Sequence, residues 1–580
     1  MFNFELYKEG LRKTKILAIL LLIGMLLGAI ILPVAEITNH ARGIRYNWYW
    51  MNPVIHVYGL SASYMTLFAI FLGAPILTLS MFSFLNGRSS SDFYHAIPHK
   101  RETLFGSFIA AILTWVVAGM WLTTTISVVI YATSSHTVIH LGSIILVLMG
   151  LSATCLLVIS AIVLAMTVTG TTLSNIMTSG LILFLPRLLI SMFIELIVTS
   201  TGIVSSTDFG IFGNYSRNIL IGLLTGGGFD NNETIDQMIT RGILYTFVLA
   251  VIYLACAGYL FKKRHSELAS HPGTKFTQPI IRVAVAFTMT LPAIAMIVSP
   301  DGISSDGVLG VLIFYLIAML GYYAYEFFTT RRIGSLTKMI PGLLVVFVLN
   351  IGFILGVRAG RNMLLQEINV ASISSVTIED FSPHWSSNTY VDLNMRGLEF
   401  NDVEIIQLLG DALNDNIQAA RARLRGAESN WWAGTVVRVT FNIDGGRDIT
   451  RLVRVTEQSP VAGWLRDNES YRALYLVVPE DFDWASTWYD LTDEEIQHVI
   501  DVLREELLEV DFESWYQLVG RYVNHDWMYD EVTGEWLDPF QQHGTILVSG
   551  QVNGYFYQSD FPITELTPRT LELFLSYARD

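Results

Sequence analysis

The stretch SSSDFYHAIPHKRETLF, Ser89 to Phe105, is short, polar and basic, and it separates two apolar runs that are each long enough to cross a bilayer. Its residue order reads as a small helix. Ser91 or Asp92 stands where a cap is needed, Phe93, Tyr94, Ala96 and Ile97 supply an apolar face, and Pro98 stops the turn. Lys100 and Arg101 then hold the start of the following run on the cytosolic side. An aromatic-bearing loop on that side reads as a docking surface.

Outward from this loop the chain keeps the same alternation. Of its 580 residues 52% are apolar and only 15% charged, with a mean hydropathy of +0.46, which excludes a string of ordinary soluble domains. A hydrocarbon core of about 30 Å takes about 20 helical residues. Nine runs meet that length: 16 to 37, 62 to 85, 104 to 132, 141 to 168, 176 to 199, 242 to 261, 280 to 299, 307 to 328 and 339 to 357. Only the polar string TGTTLSN separates the fourth from the fifth. The expected fold is an α-helical polytopic membrane bundle of about nine spans over residues 1–357, followed by a soluble α+β domain over 358–580.

Cations set the orientation. Lys8, Arg12, Lys13 and Lys15 precede the first run, and Arg88, Lys100 and Arg101 lie between the second and third. Lys262, Lys263 and Arg264 follow the sixth, and Arg331, Arg332 and Lys338 lie between the eighth and ninth. With nine alternating spans all of these fall on one side, which the positive-inside rule assigns to the cytosol. The first run is longer than a signal core and is not followed by a small-residue cleavage site, so it reads as a retained helix. The expectation is a multi-pass protein of the cell membrane, with a cytoplasmic N-terminus and an extracytoplasmic C-terminal domain.

That C-terminal domain has its own chemistry. Residues 358–580 hold 16 arginines, no lysine and 37 acidic residues, a net −21, whereas the first 357 carry a net +6. Such a surface repels anionic lipid headgroups and nucleic acid, and could attract cationic peptides or metal ions, so no nucleic-acid partner is expected. TVVRVTFNIDGGRDITRLVRV alternates about Asp444-Gly445-Gly446 as a β-hairpin does. Thr492 and Glu495 form a capping-box pattern, and Thr567-Pro568 opens a last helix. Further strands are expected at 372–379, 388–394, 473–478 and 544–557, with a helix at 402–425. Neither cysteine lies in this domain: Cys155 and Cys256 fall within apolar runs and read as packing residues.

No motif for phosphate binding, a metal pair or a nucleophile elbow is present. His95 and His99 have no third donor nearby and read as surface residues. No catalytic residue, metal or cofactor is therefore expected, and any ATP that drives this protein must be bound by a partner subunit. Ionisable residues inside spans are costly to insert. Arg187 and Glu195, eight residues apart or about 12 Å along a helix, mark a possible translocation path, while Glu326 reads as interfacial.

The string SSSDFYHAIPHKRETLF resembles the cytosolic loop after the second span in permease subunits of ABC-2-type exporters from Gram-positive bacteria, where S-x-D-x-Y-H-x-[LI]-P-x-x-[RK] precedes an apolar helix. The basic N-terminal helix and the hairpin TFNIDGGRDITRLVRV are similar to those of large permeases with an extracytoplasmic C-terminal domain. The resemblance implies a separate ABC ATP-binding subunit and a second permease copy or related permease as partners within the lipid bilayer. It also implies Asp92, Phe93, Tyr94, His95, Pro98 and Arg101 as the contact set for the ATPase. An amphipathic cargo such as a peptide, antibiotic or lipid follows from the same likeness. Two other classes stay open: a membrane-anchored sensor whose outer domain binds a ligand, and an integral membrane enzyme.

Overall fold

The computed structural model describes residues 2–45, 55–57, 64–209, 234–274, 276–299, 305–330, 340–381, 397–426 and most of 435–577. Two compact units result: residues 1–196 with 209–359, and residues 197–208 with 360–580.

The first unit is a helical membrane bundle. In chain order its elements are α1 (Phe4–Arg45), β1 (Ile55–Val57), α2 (Met65–Met81), α3 (Arg88–Ala96), α4 (Arg101–Tyr131), β2 (Thr137–Ile139) and α5 (Leu141–Val168). After these come α6 (Thr172–Thr201), α7 (Thr234–Lys263), α8 (Thr277–Val298), α9 (Ser305–Thr330) and α10 (Ile340–Leu364). Among the described residues eight helices are long and apolar enough to cross a membrane; α2 is the shorter ninth. Its irregularity has a local cause. Pro75 lacks an N–H and crowds the preceding turn, and α2 accommodates it with a π turn over Ala69–Gly73, in which the Ala74 N–H reaches the Ala69 carbonyl. The remainder of the apolar run is used by a tight 3₁₀ turn, Ser83–Asn86. The TGTTLSN string does break the chain: Thr169 is extended between α5 and α6.

The bundle core lies among α1, α2, α4, α5 and α7, where Met25, Leu77, Phe108, Ile112, Leu151, Cys155 and Phe261 are all buried. A Cβ on Gly73 would sit 2.5 Å from a Leu21 methyl, so α1 and α2 approach closely at this glycine and a larger residue would have to displace Leu21. A smaller cluster, Ile281, Val285 and Tyr325, ties α8 and α9 to Met177 and Leu181 of α6. Cys256, by contrast with Cys155, is exposed on the apolar surface of α7. β1 and β2 pair in parallel, with Ile55 opposite Thr137 and Val57 opposite Ile139. This pairing puts the segments after α1 and α4 on one side, as alternating spans require.

In the second unit, β3 (Ile373–Phe381), β4 (Leu398–Phe400), α11 (Val403–Arg423), β5 (Thr435–Ile443), β6 (Ile449–Val455) and α12 (Pro460–Asp467) build a four-stranded antiparallel sheet, order β4-β3-β5-β6, with helices against it. α11 buries Ile405, Leu409, Leu413 and Ile417, a stripe at helical spacing. β7 (Trp484–Thr487), α13 (Asp493–Leu507), the small hairpin β8 (Met528–Asp530) and β9 (Glu535–Leu537), β10 (Gly544–Val552), β11 (Tyr555–Ile563) and α14 (Pro568–Tyr577) complete the unit. β11-β10-β7 form a second antiparallel sheet.

The hairpin turns where the sequence places it, with Gly445 at φ +67. Thr492 and Glu495 exchange both capping bonds. The expected strand 544–557 is two paired strands, and in 473–478 the described residues form none. Residues 388–394 lie outside the described residues. Ile197–Asp208, the end of α6 and its continuation, belongs to this unit: the Ile203 carbonyl accepts from Leu452 N at 2.8 Å, and Asp208 pairs with Arg438 at 2.6 Å. Burial pushes the Asp208 carboxyl above its ordinary range even beside that arginine.

Candidate functional site

The quoted loop folds as α3, but its capping differs from the expected one. Gly87 is the N-cap residue, neither Ser91 nor Asp92 caps, and Ser91 is buried one turn into the helix with its N–H on the Gly87 carbonyl. The stop holds: α3 ends at Ala96, Ile97 leaves the helical region, and Pro98 follows.

The two aromatics of the loop divide their roles. Tyr94 faces the bundle, its ring 4.2 Å from that of Phe84 and 6.1 Å from that of Phe108, with the Lys13 ammonium 4.8 Å above it. Burial pushes the Tyr94 phenol above its ordinary value, and Glu9 adds to the shift. Phe93 meets the Tyr94 ring edge-on at 5.5 Å yet is 67% exposed, with Asp92 and Pro98 exposed beside it. The His95 side chain lies outside the described residues. Arg101 is engaged within the chain: its guanidinium donates to the carbonyls of Lys262 at 3.1 Å and Arg264 at 2.7 Å, closing the C-terminal end of α7. Of the six expected contact residues, Phe93, Asp92 and Pro98 are outward, while Tyr94 and Arg101 fix the loop in place.

Beneath α3 lies a residue that orientation alone had singled out. The buried Arg264 guanidinium donates to the Leu85 carbonyl at 2.8 Å, the Thr169 carbonyl at 2.7 Å and the Met166 carbonyl. Two of these acceptors form the end of α5, where unpaired carbonyls and the helix dipole favour a cation. Burial pushes Arg264 down to about 10, so it stays charged at neutral pH. Further links join the same segments. Asn175 donates to Asn86 at 2.9 Å, and Gly170 exchanges backbone bonds of 2.9 Å with Ser270 and His271. Gly170 has no room for a side chain, since a Cβ would lie 1.9 Å from the Leu268 carbonyl oxygen. Three loops distant in sequence are thereby joined into one base. Nothing in the local pattern around Arg264 announces this, because each acceptor is a backbone carbonyl about 95 to 179 positions away.

Within the spans, Arg187 of α6 is buried and Glu195, on the same helix, is exposed. Glu326, near the end of α9, is 5% exposed and accepts from Arg282 of α8 at 3.1 Å and from Gln278 at 3.0 Å, with the Arg282 guanidinium 5.0 Å from the Tyr322 ring centre. An ion pair of this kind cancels two charges that would each be costly to hold alone. Arg282, which the sequence reading passed over, is the partner that permits the burial. No family model, curated protein or solved structure matches the chain.

Proposed function

We propose that this chain is the membrane-spanning subunit of an ATP-driven exporter of the ABC-2 type, coupled to a separate ATP-binding subunit that docks on α3. One observation carries the reading: α3 is clamped to the bundle on its Tyr94 face and presents Phe93 outward. A helix that is to transmit a rigid-body movement needs both a stiff base and an exposed anchor. Tyr94, Lys13, Arg101 and Arg264 supply the base, and Phe93 is the anchor. ATP-driven closure of the partner would push on Phe93, and the base would pass that motion to the ends of α2, α5 and α7. An amphipathic cargo such as a peptide, antibiotic or lipid suits a bundle of this composition.

The test is co-expression with an ATPase encoded beside this chain, followed by affinity purification from detergent. Phe93→Ala should reduce the recovered ATPase at least about tenfold, in line with the loss of an aromatic anchor, without lowering the Tm of the membrane subunit. Equal recovery with wild type and Phe93→Ala would remove the proposed role of α3.

A further inference from the structure

Two of the prolines inside membrane helices free a backbone carbonyl that a hydroxyl from a neighbouring helix then takes up. Pro33 of α1 has no N–H for the Ala29 carbonyl, which accepts from Ser127 of α4 at 3.0 Å. Pro186 of α6 has none for the Ile182 carbonyl, which accepts from the Tyr253 hydroxyl of α7 at 3.3 Å. In hydrocarbon an unsatisfied carbonyl is costly, so each hydroxyl makes its proline tolerable.

The two clamps sit in different surroundings. Ala29 and Ser127 are both buried, where α1 and α4 lie side by side. Pro186 is exposed, Ile182 and Tyr253 are half-buried, and only 17% of the apolar window of α6 is covered, against 56% in α4. Packing locks the first clamp, whereas the second rests on the Tyr253 hydroxyl. Helices kink where proline has removed a bond, so Ile182–Pro186 is the turn at which α6 bends.

The halves of α6 on either side of Pro186 have different partners. Before it, the Asn175 amide donates to Asn86 of the base, Met177 and Leu181 join the Ile281 and Val285 cluster, and Leu183 and Phe184 pack on the main core. After it, the Phe193 ring meets Phe353 of α10 edge-on at 5.9 Å. We infer that α6 is jointed at Pro186 and has two states, and that Tyr253 is the positioning residue that holds the state seen here. In the other state a π turn like that of α2 lets the Arg187 N–H, five positions on, take over the Ile182 carbonyl. The half beyond Pro186 then swings with α10, while the first half stays on the base. The inference concerns the bundle alone and is independent of the exporter reading.

The test uses the full-length protein in nanodiscs, with Cys155→Ala and Cys256→Ala. Spin labels are attached at Ile176→Cys and Val198→Cys, which an unbroken helix separates by about 33 Å, and double electron–electron resonance reads the distance distribution. A major and a minor distance are expected. Tyr253→Phe removes only the hydroxyl and should raise the ratio of minor to major about threefold, the effect of one interhelical hydrogen bond in a bilayer. Pro186→Ala returns an N–H to the Ile182 carbonyl, so it should abolish the minor distance and make Tyr253→Phe silent in the double variant. A distribution unchanged by Tyr253→Phe would overturn the inference. So would a minor distance that persists in Pro186→Ala, or an equal response to Tyr253→Phe with and without the proline.

Discussion

The two ends of the membrane bundle are built differently. In the apolar window of α5, 72% of residues are buried, whereas in α9 only 11% are. α5 lies in a core shared by α1, α2, α4 and α7, while α8 and α9 hold to each other and to α6 through a small cluster and one ion pair. Lipid tails are as apolar as leucine, so burial inside a membrane gives no hydrophobic gain and cohesion must come from close contact or from polar links. The early helices rely on close contact over a broad core, while α8 and α9 combine a small contact cluster with an ion pair. The same division separates two arginines of the bundle: Arg264 is satisfied by three backbone carbonyls, and the largely covered Arg282 by a carboxylate.

Substitutions can test this contrast directly. The largest effect is expected at Glu326→Ala, which leaves Arg282 buried without its acid and should cost about 3–5 kcal/mol of stability. Thermal denaturation in nanodiscs measures it, and the double variant with Arg282→Ala should recover part of the loss. Next comes the core. Leu151→Ala should lower stability by about 2–5 kcal/mol through a cavity, whereas Leu312→Ala on exposed α9 should stay within about 0.5 kcal/mol. Similar losses at both sites would erase the proposed difference in cohesion.

Arg264→Lys retains a charge but loses the fork that reaches three carbonyls, and a cost of about 1–3 kcal/mol is expected. Hydrogen exchange of the segments around Leu85 and Thr169 should rise in that variant if the residue joins the loops; unchanged exchange would contradict this. The smallest effect belongs to the second unit. Burial pushes the Asp560 carboxyl above its ordinary value, so its neutral form adds stability that is fully present below the unfolded pKa and is lost as pH rises through the folded one. Asp560→Asn should therefore raise the Tm at pH 7 by a few degrees, and the advantage should vanish in acid. An advantage that persists at pH 3 would show that the charge is not its source.

Much of the architecture was legible in the chain. Lengths of apolar runs, the Asp444-Gly445-Gly446 turn and the Thr492–Glu495 box are local patterns, and local geometry settles them within a few residues. α2 departed from expectation because the run of 62 to 85 does not record how Pro75 and a closing 3₁₀ turn divide it. The described residues of 473–478 form no strand for a related reason: a short apolar run has no length to distinguish strand from other chain.

The candidate site was legible only in part. Sequence placed an aromatic helix between two spans and stopped it at Pro98, since helix periodicity and proline chemistry act within a few residues. Which ring faces outward, what Arg264 and Arg101 hold, that Glu326 finds Arg282, and that Tyr253 reaches the carbonyl freed by Pro186 were settled by tertiary contact. These partners are separated by tens to hundreds of positions, many are backbone carbonyls that every residue possesses, and no local pattern distinguishes the one that will be met.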